Sequence, residues 1–129
     1  MLHILPRKSK IWSKSGRNGT GMTIQMDARE DKLHVRLMGE IDHHAARDVR
    51  ERIDAEVERL KYKTPLLDFS GVSFMDSSGI GLVMGRYRLM QTLGGNLLVT
   101  GTSERIGKVM RLAGLDKLGI LEVKEEHTV

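Results

Sequence analysis

Short apolar runs alternate along this chain with segments in which apolar residues recur at helical spacing. Residues 23–26 and 33–38 alternate as two strands around the polar turn AREDK, and LLDF (residues 66–69) is typical of a buried strand. NLLVTG and GILEV predict two further strands. Strands that alternate with helices form βα units with parallel pairing. The sequence therefore predicts an α/β fold, a single domain with a small mixed sheet of four to five strands packed against α-helices.

Three helices are predicted from apolar periodicity and from the signals at their ends. Their apolar faces are Ala45, Val49, Ile53, Val57 and Leu60, then Ile80, Val83, Met84, Tyr87 and Met90, and last Ile106, Val109, Met110 and Ala113. Asp42 and Ser103 are placed to cap the first and third helices, and Gly114 is placed to end the third. A loop over residues 70–76 is predicted before the second helix.

The net charge of +4 comes from the beginning of the chain. Residues 1–21 hold five basic residues and no acid, so the remainder has 16 basic and 17 acidic residues. That balance does not favour a polyanion-binding domain, and no direct DNA binding is expected. We expect residues 1–21 to be a basic, flexible extension, or the product of an upstream start with Met22 as the usual first residue. Residues 22–129 are then the folded domain.

Composition and motifs exclude several classes of site. The 129 residues include no cysteine, which rules out disulfides, thiolate chemistry and Cys-based zinc sites. No apolar run approaches membrane-spanning length, and we expect a cytoplasmic protein with no membrane contact. The glycines between residues 79 and 85 miss the dinucleotide fingerprint by one position and are attributed to close packing of helix on sheet. No Walker loop is present, and no cofactor is expected.

The motif FMDSSGIG places an acid and two serines between a buried strand and a helix. Neither Ser77 nor Ser78 has the Gly-x-Ser-x-Gly pattern of a hydrolase nucleophile, and no catalytic residue is assigned. His43 and His44 are typical of solvated residues in a first helical turn, and with Asp42 they point too far apart to share a metal ion. Two roles remain for Ser77. It caps the helix, or it carries a phosphoryl group held at the helix start.

Phosphorylation at this position would act through charge. A phosphoryl group adds about −1.5 to −2 charges at neutral pH, here directly beside Asp76. A partner surface matched to the neutral hydroxyl would then meet repulsion and uncompensated desolvation. Binding would be switched off while the fold persists, and the protein itself would need no base, metal or cofactor.

Four stretches resemble one family: GEIDHH, LLDFSGVSFMDSSGIGLVMGRY, GGNLLVTG and SERIGKVMRLAGLDKLGI. Together they resemble the bacterial anti-anti-sigma factors built on the STAS domain, with the sporulation branch, whose target is the anti-sigma F factor, as the nearest likeness. The resemblance implies a non-enzymatic regulator whose unphosphorylated form binds an anti-sigma factor that is also a serine kinase, and so releases a sigma factor. Phosphorylation ends this binding, and a PP2C-type phosphatase restores it.

The resemblance also implies site residues. The modified serine directly follows the aspartate and is Ser77, with Asp76, Ser78 and Gly79 supporting it. The implied partner contacts lie before the first helix and at the start of the second: Glu40, Ile41, Asp42 and His43, and Ile80, Gly81 and Leu82. Leu82 and Leu89 lie off the predicted apolar face of the second helix, so they are either exposed to a partner or covered within the domain.

Two other functions remain open at this point. A STAS adaptor of a general stress-response sigma pathway would share the fold and differ in the kinase that modifies it. A small α/β hydrolase or nucleotide-binding enzyme that uses Ser77 or Ser78 would turn over an ester or a nucleotide.

Overall fold

The computed structural model describes residues 9–15, 21–60 and 63–122. Within these ranges the strands are β1 (Ser9–Ser15), β2 (Gly21–Arg29), β3 (Lys32–Ile41), β4 (Thr64–Met75) and β5 (Leu98–Thr100). The α-helices are α1 (His43–Arg59), α2 (Ser77–Thr92) and α3 (Glu104–Leu112), and a short 3₁₀ helix covers Leu115–Leu118. Strands and helices alternate from β3 onward, as the sequence predicts.

The strands form one mixed sheet in the order β1-β2-β3-β4-β5. β1 pairs with β2 and β2 with β3 in antiparallel fashion, whereas β3 with β4 and β4 with β5 are parallel. Each parallel pair is joined by a helix, because α1 connects β3 to β4 and α2 connects β4 to β5. The predicted hairpin and the predicted mixed sheet are confirmed.

The core lies against one face of this sheet. Strand pairing places Ile24 beside Leu37, and it places Leu67 beside both Val35 and Val99. All five side chains are at most 1% exposed, and they share a face because side chains alternate across a strand. The predicted apolar face of α1 packs on β2 and β3, and α1 also contacts α2. The result is a two-layer α/β sandwich.

Two strands differ from the sequence prediction. The expected loop over residues 70–76 is wrong for most of its length, because β4 stays paired with β3 as far as Met75. The pairing shifts register twice near the end of β3, and such bulges let a strand continue where its pattern does not alternate. The predicted last strand, GILEV, is reduced to one bridge between Leu121 and Val99, and Val123 lies outside the described residues.

The buried face of α2 is rotated from the predicted one. Three residues expected in the core are only partly covered: Ile80, Met84 and Tyr87. Leu82 and Arg86 are buried in their place. A periodicity argument places arginine in solvent, and it therefore assigns this face wrongly.

The buried Arg86 forms an ion pair between the two long helices. Its Nε lies 2.6 Å from Oδ1 of Asp54 on α1, and neither atom hydrogen-bonds any other described residue. Burial raises the pKa of the Asp54 carboxyl and lowers the pKa of the Arg86 guanidinium, because both lose hydration, and their mutual attraction opposes both shifts. The ion pair thus links α1 to α2 where the two helices face each other.

The beginning of the chain contains a strand that the sequence does not reveal. The expectation of a flexible extension over residues 1–21 is wrong for residues 9–15, which form β1 and pair with β2 from Ser9 opposite Asp27 to Ser15 opposite Gly21. Residues 1–8 and 16–20 lie outside the described residues. The sheet therefore begins before the region predicted to fold.

Two side chains of β1 also contact α1. Lys10 Nζ lies 2.8 Å from Oε2 of Glu56, and the guanidinium of Arg52 lies 5.2 Å from the centroid of the Trp12 ring. Glu56 is only 5% exposed. Burial by itself raises the pKa of Glu56, but its hydrogen bonds with Lys10 and Arg59 outweigh burial, and the pKa is lowered. The buried carboxylate is therefore held in its charged form, with Lys10 as one of its two partners.

We expect Lys10→Ala to lower the free energy of unfolding by about 1–2 kcal/mol, because it removes one of two charged hydrogen-bond donors from a buried carboxylate. Urea denaturation of the full chain measures this change. The matched control is Lys32→Ala, which removes a lysine paired with an exposed carboxylate, that of Asp31, at 3.1 Å. The control should stay within about 0.5 kcal/mol of the wild type. Equal stability of both variants and the wild type would contradict the role given to β1.

Candidate functional site

The serine motif lies at the carboxyl ends of the two central parallel strands. Ile41 at the end of β3 pairs with Met75 at the end of β4, and the N–H of Asp76 donates to the Ile41 carbonyl oxygen at 3.1 Å. α1 begins two residues after Ile41, and α2 begins two residues after Met75. The first turns of both helices are thus brought to one edge of the sheet, where open α/β sheets carry their functional loops.

Each helix at this edge begins with an aspartate cap. Asp42 Oδ1 accepts the N–H of Ala45 at 2.9 Å, which confirms the predicted cap of α1. Asp76 Oδ1 accepts the N–H of Ser78 at 2.8 Å and caps α2. Ser77 is therefore not the cap, and that interpretation is wrong. It is the first residue of α2 and its side chain is exposed.

Gly79 is required by the approach of α2 to the end of β4. A Cβ at position 79 would overlap Cγ and Sδ of Met75, so any side chain at this position requires the Met75 side chain to move. The packing explanation is wrong for Gly81 and Gly85, where a Cβ would meet no atom within 4 Å. Only the first of these three glycines is explained by close packing.

The expected partner contacts are divided between surface and core. His43 and Gly81 are exposed, and Glu40, Asp42 and Ile80 are partly buried. Ile41 and Leu82 are 0% and 3% exposed, so their side chains lie in the core, and the partner contacts expected at these two positions stay predictions. Leu89 is partly buried against the core, so the interpretation that Leu82 and Leu89 are covered within the domain fits best. Two of the seven expected contact residues, both apolar, therefore lie in the core. The exposed part of the expected contact set is smaller and more polar than the sequence predicts.

One charged contact joins the two helix starts. His43 Nδ1 lies 4.0 Å from Oδ2 of Asp76, and the side chain of His43 is 70% exposed. The rings of His43 and His44 lie with their centroids 4.0 Å apart. Both histidines are exposed, as predicted for the first turn of a surface helix. A pair with this exposure contributes little to stability, but it places an imidazole ring beside the serine motif.

Two features near Ser77 were missed by the sequence analysis. Phe74 is 42% exposed on β4, three residues before Ser77. Between α1 and α2 lies a groove of about 390 Å³, which we name the helix groove. It is lined by His43, Ala46, Arg47, Arg50, Ser78, Gly81 and Leu82. The i, i+4, i+7 spacing of His43, Arg47 and Arg50 could have indicated a common basic face.

The described residues supply no catalytic centre at this edge. No described group hydrogen-bonds the Ser77 hydroxyl, so no general base is in place beside it. In the ranges that the structure describes, no three His, Asp or Glu side chains are grouped to hold a metal ion. None of the described helices has the length and apolar character needed to cross a membrane. The arrangement presents an accessible serine to other molecules.

Comparison with known proteins identifies the fold and its relatives. A family model described as the STAS domain matches residues 23–127. The chain is 35% identical over 106 residues to an anti-sigma F factor antagonist of Lysinibacillus sphaericus, covering 82% of this chain and 89% of the relative. It is 31% identical over 111 residues to an anti-sigma-B factor antagonist of Bacillus subtilis, covering 84% of this chain and 99% of the relative.

Solved structures give the same result. The anti-sigma factor antagonist SpoIIAA in its unphosphorylated form superposes with a TM-score of 0.68 at 32% identity, covering 80% of this chain and 90% of SpoIIAA. The phosphorylated form of SpoIIAA from Bacillus superposes with a TM-score of 0.63 at 32% identity, covering 80% and 93%. The mixed-sheet STAS fold predicted from the sequence is confirmed.

We expect Gly79→Ala to lower the free energy of unfolding by about 1–3 kcal/mol, because the new methyl group overlaps Cγ of Met75 and forces the Met75 side chain or α2 to shift. The matched control is Gly85→Ala on the same helix, where the space is open. This control should raise the free energy of unfolding by about 0.5–1 kcal/mol through helix propensity. Thermal and urea denaturation measure both. A Gly79→Ala variant as stable as Gly85→Ala would show that the contact with Met75 is not tight.

Proposed function

The chain belongs to the STAS domain family and, within it, to the anti-sigma factor antagonists, and on that premise we propose that it works as a phosphorylation-controlled switch. Members of this family are regulators and not enzymes. The unphosphorylated form binds an anti-sigma factor and so frees a sigma factor. Phosphorylation of Ser77 ends this interaction. The observation that carries the proposal is the position of Ser77, exposed as the first residue of α2 directly after the cap.

The local geometry favours Ser77 as the acceptor. Its side chain is exposed, whereas that of Ser78 is partly buried. The Ser78 N–H is already used by Asp76. A phosphoryl group on the first helical residue lies near the positive end of the helix dipole, where anions are stabilised. SpoIIAA, a relative that has been solved in a phosphorylated form, adds support for a modified site in this fold.

The enzymes that add and remove the phosphate belong to the partners. The described part of this chain holds no base beside Ser77 and no metal cluster, so the chemistry has to come from outside it. We infer that the anti-sigma factor itself is a serine kinase that phosphorylates Ser77. A PP2C-type phosphatase then returns the protein to its binding form. Among the expected contacts around the serine, His43 and Gly81 are exposed, and Glu40, Asp42 and Ile80 are partly exposed.

A second sigma pathway is also supported by a specific observation. The Bacillus subtilis relative is named an anti-sigma-B factor antagonist. Its match to this chain covers 99% of the relative's length. The chain could serve the corresponding general stress-response pathway with the same fold and the same serine. The two assignments are told apart by the anti-sigma factor that binds and phosphorylates the chain. A hydrolase or nucleotide enzyme has no support from the site or from the relatives.

We expect Ser77→Asp to weaken binding to the anti-sigma factor about 100-fold, or about 3 kcal/mol, because a fixed negative charge beside Asp76 repels a surface matched to a hydroxyl. Ser77→Ala should bind as the wild type does and accept no phosphate. Titration calorimetry with the anti-sigma factors of both pathways measures affinity. Mass spectrometry after incubation with ATP locates the phosphate.

The matched control for this prediction is Ser103→Asp. Ser103 is the exposed cap of α3, and aspartate preserves that cap while adding the same charge at another helix start. This variant should bind like the wild type. Tight binding by Ser77→Asp, or a phosphate found on Ser78 and not on Ser77, would contradict the proposed switch.

A further inference from the structure

The helix groove is a basic depression directly beside the serine motif. α1 contributes His43, Arg47 and Arg50 to it, and α2 contributes Ser78 and Gly81. The three basic side chains recur at i, i+4 and i+7, so they line one side of the groove. On the other side Gly81 is exposed and leaves open space where a side chain would stand. A backbone segment can therefore approach α2 closely.

The two arginines of the groove have little competition for their charge. Arg47 Nε lies 3.5 Å from Oε1 of Glu51, and both side chains are more than half exposed, so this pair is weak. Arg50 is exposed, and the carboxylate whose charge it acts on is that of Asp54. The carboxylate of Asp54, one turn further along α1, is already engaged by Arg86. Two guanidinium groups thus face solvent next to the site that controls binding.

We propose that the helix groove is the docking site for an acidic segment of the anti-sigma factor, with Arg47 and Arg50 as the residues that recognise its carboxylates. The planar guanidinium matches a carboxylate with two parallel hydrogen bonds, which gives direction as well as attraction. This inference rests on the proposed function, because it names the partner feature that the same surface selects.

The charge distribution favours a short acidic protein segment over a nucleic acid. Outside residues 1–21 the chain carries 16 basic and 17 acidic residues, so it lacks the excess of positive charge typical of a nucleic-acid-binding domain. Asp76 and Glu51 lie beside the lining residues His43 and Arg47, so acidic groups border the basic lining and limit its length. A groove of about 390 Å³ has room for a few side chains only. Its size therefore fits a short segment of a partner protein.

Docking in the groove also explains how the phosphate would act. Ser78 lines the groove and Ser77 immediately precedes it in α2. A phosphoryl group on Ser77 adds about −1.5 to −2 charges at this end of the groove. It repels incoming carboxylates and competes with them for the same basic side chains. The phosphate therefore acts on the partner's acidic segment even where it makes no direct contact with the partner.

The test compares two groove variants of the full chain with a matched control. We expect Arg47→Glu combined with Arg50→Glu to weaken binding to the anti-sigma factor from the same genome about 100-fold, and Arg47→Gln combined with Arg50→Gln to weaken it about tenfold. The control, Arg105→Glu combined with Lys108→Glu, makes the same charge change on exposed residues of α3 and should bind within about twofold of the wild type.

Salt dependence gives a second readout. Titration calorimetry at about 50 mM and about 300 mM NaCl should show that the wild type loses affinity with salt more steeply than the glutamine variant. Circular dichroism and thermal denaturation establish that each variant is folded. A glutamate at position 50 would place a second negative charge one turn from Asp54 and could disturb the fold. The glutamine variant introduces no negative charge, so its affinity still tests the role of the two arginines.

The outcomes separate this inference from the proposed function. If the wild type binds the anti-sigma factor and both groove variants bind equally well, the groove proposal is overturned and the proposed function stands. If the wild type does not bind any anti-sigma factor, the proposed function fails first. If the groove variants lose affinity only for ATP or for short DNA, the occupant is a phosphate group, and the assignment to an acidic protein segment is wrong.

Discussion

The parallel pairing of β3 with β4 up to their last residues is the constraint on which the site depends. The pairing continues to Ile41 and Met75, and the N–H of Asp76 extends it by one more hydrogen bond, 3.1 Å long, to the carbonyl of Ile41. Each strand is followed at once by an aspartate cap and a helix. Two helix starts, with the positive ends of their dipoles, are therefore held at one edge of the sheet. The accessible serine and the basic groove both follow from this arrangement.

The Arg86–Asp54 ion pair keeps the two helices in register along that edge. The pair lies between α1 and α2 with Arg86 only 6% exposed, and a buried pair is costly to break because a lone charge would remain in the core. Leu82, one turn earlier on α2, is buried by the same rotation of the helix. That rotation turns Gly81 outward and gives the groove an open side. The orientation of α2 that buries Leu82 and Arg86 is thus the one that leaves Gly81 at the groove.

The sequence predicts most of the fold because apolar periodicity and helix caps are local signals. Asp42 and Ser103 cap α1 and α3 as expected, and the hairpin and the parallel strands are found. Contacts between residues that are far apart in the sequence cannot be predicted from these local signals. β1 exposes Ile11 and buries Trp12 only in part, and its contacts to α1 connect residues 40 and 46 positions apart, Trp12 with Arg52 and Lys10 with Glu56. The buried Arg86 is a second case, since its partner is on another helix.

The differences between the predicted and the observed site also arise from contacts between elements that are distant in the sequence. The resemblance supplied Ser77 and its neighbours, but it could not separate exposed from buried members of the expected contact set, because burial of Ile41 and Leu82 depends on packing between elements. Conversely, Arg47 and Arg50 lie on the outer face of α1, where their spacing indicates a basic face but does not indicate a groove, because charged residues on such a face are usually solvated. Only the second helix beside them turns that face into one wall of a groove.

The division of roles between Asp76 and Ser77 determines what kind of switch this edge can support. If the serine were the cap, a modification of its hydroxyl would remove a hydrogen bond from the first turn of α2 and loosen the helix. The aspartate caps instead, at 2.8 Å from the N–H of Ser78, so the hydroxyl is available without any structural cost. In the proposed switch, phosphorylation therefore adds charge and volume at the start of α2 without removing the hydrogen bond that caps the helix. The proposed switch therefore acts by electrostatic repulsion on the partner, and its strength depends on the charges that surround the serine.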